Sequence, residues 1–252
     1  KTSYLWCIDA KTAEKSYLTE HQGVTLQGAM LAGGDRLYIP QGRAAPITLN
    51  QKDGKKTGTI GQAGGTFCLL TEDNQLIAGP PNQKERDEQL RIADPKSGKR
   101  LTTFNNTTRV VVTQGKAYLH SIDNLQCLDL TRKAQLETLL GTQKAALKKI
   151  DPKVETNLAQ IEALKKEIST LQTQIKSCLL WTIDHPTPFE LVVAGDQLIV
   201  GIDNQVSILD IKTGKPLWQH KVTGKAYGLT PAEGRLIVST DLGHIHTFHF
   251  QP

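Results

Sequence analysis

One segment recurs along this chain and limits its fold more than any other feature. Each copy has two apolar strands, a third strand that ends in Asp or Asn, and a turn that leads to a fourth strand. The third-strand endings align at Asp9, Asn50, Asp94, Asp129 and Asp210. In such a turn the Asp or Asn side chain caps the backbone, and a following Gly supplies a positive φ. Four short strands per repeat predict an all-β fold, a β-propeller of four-stranded antiparallel blades.

The two chain ends complicate the number of blades. Residues 4–9 and 16–19 fit a third and a fourth strand, whereas the C-terminal residues end in another third strand, 244–250. A ring closed by these ends would contain one strand too many. Two interpretations stay open for residues 1–252. The five to six blades are a section of a larger ring in a longer protein, or they form a compact ring with one displaced strand.

Residues 208–218, Ile-Leu-Asp-Ile-Lys-Thr-Gly-Lys-Pro-Leu-Trp, carry a family resemblance. They resemble the pyrroloquinoline-quinone-like (quinoprotein-type) propeller repeat, in which a hydrophobic-Asp strand end, a Thr-Gly-Lys turn and a Trp follow one another. Trp181 takes the same place in the preceding copy. The resemblance implies the propeller fold and favours a periplasmic or extracellular location, although compartment is not fixed by these residues.

The same resemblance bears on cofactors. The family includes quinoprotein dehydrogenases and also members that hold no cofactor and act as scaffolds. Its dehydrogenases have adjacent cysteines beside the quinone and a calcium site, whereas this chain has no Cys-Cys pair and one complete Trp turn. We therefore expect neither pyrroloquinoline quinone with calcium nor enzymatic activity. The alternative is a fragment of a quinoprotein-like dehydrogenase, or a propeller that accompanies a separate catalytic domain.

Residues 133–177 interrupt the repeat after Asp129, between a third and a fourth strand. Helix-forming residues dominate, and Asp151-Pro152 separates two apolar stripes. The stripes are Leu136, Leu140, Leu147 and Ile150, followed by Val154, Leu158, Ile161, Ile168, Leu171 and Ile175. Their near-heptad spacing predicts an antiparallel coiled-coil hairpin, with a second helix of about 25 residues, or about 37 Å.

The hairpin should project from the propeller face that carries the third-to-fourth-strand turns. Two interpretations stay open for it: a docking arm for a protein partner or a second copy, or an insertion that packs only on itself. The first interpretation makes the chain a non-catalytic interaction or scaffold module of a larger protein. The net charge of +5 is spread among intermixed Lys and Glu residues, which indicates a solvated surface and not a nucleic-acid site. No apolar run is long enough to span a membrane.

Candidate ligand-binding residues lie in loops on the opposite face. They are Gln41, Arg43, Lys84, Arg86 and His185. Arg43 stands in a short loop, where its guanidinium could hold a carboxylate or phosphate as a fork. The alternative is that Arg43 braces the loop by bonding to backbone carbonyls.

The positions of the histidines and cysteines indicate a functional site less clearly than the loop residues do. His244 and His246 share a strand face and are weak metal candidates, but no third ligand is evident, so we expect no metal site. The four cysteines fall at apolar repeat positions and are expected in the core. A disulfide between Cys127 and Cys178, which flank the insert, is the alternative.

Overall fold

A computed structural model describes residues 2–79 and 89–249. The chain divides into two compact units, Lys1–Thr108 and Arg109–Pro252, which are considered one at a time below.

The first unit consists of antiparallel sheets whose strands follow chain order. A two-stranded sheet pairs β1 with β2, and two four-stranded sheets contain β3 to β6 and β7 to β10. The strands are β1 (Thr2–Ile8), β2 (Lys15–Gln22), β3 (Leu31–Gly33), β4 (Arg36–Gln41), β5 (Ala44–Asn50), β6 (Lys56–Thr59), β7 (Gly64–Leu70), β8 (Leu76–Gly79), β9 (Gln89–Ala93) and β10 (Arg100–Asn105).

The second unit continues this pattern and contains both helices. One four-stranded sheet holds β11 to β14, with both helices between β13 and β14, and a further sheet holds β15 to β19. The elements are β11 (Thr107–Thr113), β12 (Lys116–Ser121), β13 (Asn124–Asp129), α1 (Leu130–Lys149), α2 (Leu158–Lys176), β14 (Leu179–Asp184), β15 (Glu190–Ala194), β16 (Gln197–Asp210), β17 (Pro216–Ala232), β18 (Arg235–Thr240) and β19 (Ile245–His249).

Two long strands in this last sheet each combine two strands of the repeat. β16 reverses direction near Asn204, whose φ is 55°. Its ends meet where the Ile211 N–H donates to the Asp196 carbonyl at 3.1 Å. The first half of β17 pairs with β16 and its second half pairs with β18. The predicted antiparallel sheets are therefore confirmed. β16 and β17 each continue through a position where the sequence pattern predicted a loop between two strands.

The recurring Asp acts as the predicted turn cap. Asp9 Oδ1 accepts the N–H groups of Lys11 and Thr12 at 2.8 and 2.9 Å. Asp210 Oδ1 accepts the Thr213 N–H at 2.8 Å, and Gly214 follows with a φ of 71°. These local bonds satisfy backbone groups that the strand ladder leaves unpaired, so the turn sequence itself ends one strand and starts the next.

Each unit has its own apolar core between sheets. In the first unit the main clusters gather around Leu37, Ile47 and Leu49, and around Tyr38 and Leu76. In the second unit the clusters are built on strand-centre residues. One cluster includes Tyr118, Leu125, Leu198, Val200 and Leu209. The other includes Ile199, Val206, Ile208, Leu236 and Val238.

The helical insertion begins earlier, and its second helix is shorter, than the sequence pattern predicts. Asp129 Oδ1 accepts the Arg132 N–H at 2.9 Å and caps α1, so the helix starts at Leu130 and not at residue 133. α2 has 19 residues, not about 25. The Asp151-Pro152 break extends further than expected, because a 3-10 turn, Glu155–Asn157, precedes α2. Within this connection Asn157 Nδ2 donates back to the Asp151 carbonyl at 3.1 Å.

Candidate functional site

Gln41 and Arg43 lie together in the β4–β5 turn. Gln41 Nε2 donates to the Ala45 carbonyl at 2.6 Å, and its Oε1 accepts the Thr25 N–H at 3.4 Å. Gln41 therefore braces this turn. Arg43 is exposed and makes no hydrogen bond or ion pair with the residues that the structure describes. Its guanidinium remains open to a ligand from solution.

The other candidates of this group fall elsewhere. Lys84 and Arg86 lie outside the described residues. His185 is in the second unit, half-buried in the loop after β14. Its Nδ1 donates to the Pro186 carbonyl at 2.8 Å. Burial lowers the pKa of His185, the hydrogen bond to Pro186 raises it, and the nearby His120 lowers it further. The imidazole is therefore neutral at pH 7, with Nε2 as its remaining acceptor.

His244 and His246 lie at the start of β19, with ring centroids 6.1 Å apart. His244 precedes the strand, which begins at Ile245, because the Thr240 N–H donates to the His244 carbonyl in a turn at 3.0 Å. His246 Nε2 accepts the Thr223 N–H at 3.2 Å. Within residues 2–79 and 89–249, no three His, Cys, Asp or Glu side chains are grouped so that they could hold a metal.

All four cysteines are free thiols, so the alternative disulfide between Cys127 and Cys178 is absent. Cys68, Cys127 and Cys178 are buried, and Cys7 is half-buried. Burial raises the pKa of Cys68 to about 12. No two of these thiols are adjacent in sequence. The cysteine positions therefore do not fit the adjacent pair that the resemblance associates with a bound quinone.

The structure also contains a polar cavity that the sequence pattern does not indicate. It has a volume of about 380 Å³ and lies in the first unit. Its walls come from three turns, residues 33–36, 73–75 and 94–96. Arg36 crosses one wall, where its Nη1 donates to the Pro95 carbonyl at 3.0 Å. The aligned Asp and Asn residues of these turns are the one sequence signal that could have drawn attention to it.

A second cavity in the first unit is apolar and adjoins an exposed sheet face. It has a volume of about 300 Å³ and includes Leu5, Leu26 and Met30 among its lining residues. On the outer face of the β1–β2 sheet, Trp6 is 63% exposed and lies opposite Leu18 in register. Exposed apolar residues that form a continuous patch are typical of protein contact surfaces.

The helical hairpin exposes most of its surface. No residue of α1 is fully buried, and in α2 only Leu171 is. Neither helix in the described part of the chain combines the length and apolar character needed to cross a bilayer.

Comparisons with known proteins agree with this architecture. Residues 168–250 match the family model described as outer membrane protein assembly factor BamB. The crystal structure of BamB from Moraxella catarrhalis matches with a TM-score of 0.56 and 14% sequence identity. The match covers 98% of this chain and 64% of that one, so the present chain corresponds to less than two thirds of its length. No curated protein matches the sequence significantly.

At this level of identity the structural match concerns the fold. It nevertheless spans both units and includes the sheets in which the Asp-capped turns recur. The predicted resemblance to the pyrroloquinoline-quinone-like β-propeller repeat family is therefore confirmed, by sequence over residues 168–250 and by fold over 98% of the chain.

Proposed function

We propose that this chain is a non-catalytic propeller module that binds partner proteins, with the helical hairpin as its docking arm. The matching family model is described as an assembly factor, which supports a role in holding other proteins. The number of blades and the closure of the ring stay predictions from the sequence repeat.

The observation that carries the proposal is the uncovered outer surface of the hairpin. The two helices contact each other through residues that recur every three or four positions, as in a coiled-coil seam. The half-buried or buried residues with this spacing include Lys133, Leu136, Leu140, Gln143 and Leu147 in α1, and Ile161, Leu164, Ile168, Leu171 and Ile175 in α2. Outside this seam, Leu139 is 51% exposed and Leu158 is 53% exposed. Apolar side chains left exposed on a projecting helix pair favour a protein contact.

The base of the hairpin is well anchored, as an arm requires. The Asp129 N–H donates to the Cys178 carbonyl at 2.8 Å, which joins the two ends of the insertion. α1 also contacts β12 and β13. With 20 residues, α1 extends about 30 Å at 1.5 Å per residue, so the distal end lies far from this anchor.

The proposal can be tested with a variant that lacks the helical hairpin but keeps the sheet from which the hairpin extends. Asp210 N–H donates to the Lys215 carbonyl at 2.8 Å, in the same way as Asp129 donates to Cys178. Residues 130–178 can therefore be replaced by Ile-Lys-Thr-Gly-Lys, the segment that joins Asp210 to Pro216. We expect this variant to keep its β-sheet circular dichroism and thermal transition. We also expect it to lose self-association, measured by light scattering, or capture of partners from the native extract.

Two point variants locate the contact more closely. Leu139→Glu and Leu158→Glu should each weaken the association at least tenfold, since each places a charge in the proposed contact. Leu217→Glu is the matched control because Leu217 is 58% exposed on a strand and not on the hairpin. An arm-free protein that folds and keeps both its molecular mass in solution and its partners would contradict the proposal.

A further inference from the structure

The polar cavity of the first unit lies among turns that belong to two neighbouring sheets. The β3–β4 turn and the β7–β8 turn form two walls, and the β9–β10 turn forms the third. Its volume of about 380 Å³ is within the usual range of small-molecule sites, roughly 300–1,000 Å³. Of the candidate residues from the sequence pattern, the three that the structure describes, Gln41, Arg43 and His185, are not among its lining residues.

Tyr38 supplies the observation that points to a ligand. The residue is only 2% exposed, and its side chain packs in the core cluster with Leu76. Its hydroxyl makes no hydrogen bond with any residue in the described part of the chain, yet Tyr38 lines the cavity. Burial raises the pKa of Tyr38, while the charge of Arg36 lowers it and that of Asp35 raises it. The hydroxyl therefore lies near these two cavity residues, where a bound molecule can pair with it.

The fold itself does not require this hydroxyl. The aligned second-strand position holds Ile77, Ile199 and Ile237 in three other copies of the repeat. Those copies form their strands with an aliphatic side chain at this place. The remaining copy also holds a tyrosine, Tyr118, whose hydroxyl bonds with Cys127, whereas the hydroxyl of Tyr38 has no partner among the described residues and Tyr38 lines the cavity.

The remaining groups of the cavity offer both donors and acceptors. Asp35 and Asp73 are exposed carboxylates, and Asn74 adds an amide. Arg36 and Lys96 supply cationic donors. The carboxylate of the third acid, Asp94, is occupied by the N–H groups of Lys96 and Ser97 at 2.7 and 3.2 Å. Charges of both signs lie close together, so neither an anion nor a cation is strongly favoured.

We propose that this cavity binds a neutral polyhydroxylated molecule of the size of a small saccharide. Sugar hydroxyls both donate and accept, so they can donate to the carboxylates of Asp35 and Asp73 and accept from Tyr38 and Arg36. A divalent cation is a poorer occupant, because no suitable group of three ligands exists among the described residues. All the lining residues belong to the first unit, and this proposal does not depend on the docking proposal.

Saturation-transfer NMR with maltose, cellobiose and diacetylchitobiose tests this proposal on the intact chain. At least one disaccharide should bind saturably, and Tyr38→Phe should weaken its binding at least tenfold. Asp73→Asn, at an exposed position that leaves the core unchanged, should also weaken it. The control is Tyr118→Phe, at the aligned tyrosine of the second unit, which should leave affinity unchanged.

The outcomes separate cleanly. If none of the three disaccharides binds, the proposed ligand class is wrong. Binding that survives both Tyr38→Phe and Asp73→Asn, or that Tyr118→Phe weakens equally, overturns the site. A thermal melt of each variant checks folding, and Tyr38→Phe should fold because the hydroxyl that it removes bonds to none of residues 2–79 and 89–249.

Discussion

His120 donates a hydrogen bond from its Nε2 to the backbone carbonyl of His185, across 3.0 Å. His120 is buried in β12, and His185 begins the loop that leaves β14. The His185 N–H in turn donates to the Asp123 carbonyl at 2.9 Å. The two bonds attach this loop to the sheet in which His120 lies.

We predict that His120→Leu destabilises the protein by about 1–3 kcal/mol, because the carbonyl of His185 loses its buried donor. Urea unfolding followed by fluorescence measures this change. His244→Leu is the control at an exposed position and should stay within about 0.5 kcal/mol of the unsubstituted protein. Equal stability of the two variants would contradict the structural role of His120.

The lowered pKa of His185 predicts a pH dependence of stability. The unfolded chain binds a proton near pH 6.5, whereas the folded chain binds it only at lower pH. Stability contributed by neutral His185 is therefore full above about pH 6.5 and is lost as the pH falls toward the folded pKa. Titration by NMR should give a midpoint for His185 below 6.5. The loss of stability between pH 7 and pH 5 should be smaller in His185→Gln, and a midpoint above 6.5 would refute this prediction.

The cysteines should differ in reactivity according to their burial. Cys7 is half-buried, whereas Cys68, Cys127 and Cys178 are buried with pKa values raised by that burial. Because the thiolate is the reactive form, we expect a thiol reagent at pH 8 to label one cysteine quickly. Cys7→Ser should abolish this fast phase, and the others should react only on unfolding. A fast phase that persists in Cys7→Ser would show that a buried thiol is accessible.

The cap of α1 gives a local prediction. Asp129→Ala removes the acceptor for the Arg132 N–H and should cost about 0.5–2 kcal/mol. Amide hydrogen exchange should speed up in the first turn of α1 more than in β12. Asp123→Ala, at an exposed position in the preceding turn, should leave exchange in α1 unchanged. Equal exchange rates in the two variants would mean that the cap contributes nothing.

The strands and turns could be predicted from the sequence, because the interactions that form the turns connect residues only a few positions apart. Asp210 and Gly214 specify a turn through bonds within a few residues. The heptad spacing likewise indicated two helices. The length of α2 was overestimated because the 3-10 turn Glu155–Asn157, which extends the break, has no strong pattern in sequence.

The polar cavity could not be predicted in the same way. Asp35, Asp73 and Asp94 come from three separate turns, and their proximity depends on how two sheets pack. Gln41 and Arg43 were both proposed as ligand residues, but only the structure separates the bracing amide of Gln41 from the open guanidinium of Arg43. The pattern located this turn and could not assign the roles within it.

The bond from Asp129 to Cys178 closes the insertion with the same hydrogen bond that Asp210 and Lys215 use to close an ordinary turn. The strands on either side are therefore joined by the same backbone hydrogen bond, whether five residues or a pair of helices lies between them. Such a junction makes the position a natural grafting site: the segment beyond it is free to lengthen, shorten or be exchanged during evolution without disturbing the strand register of the sheet.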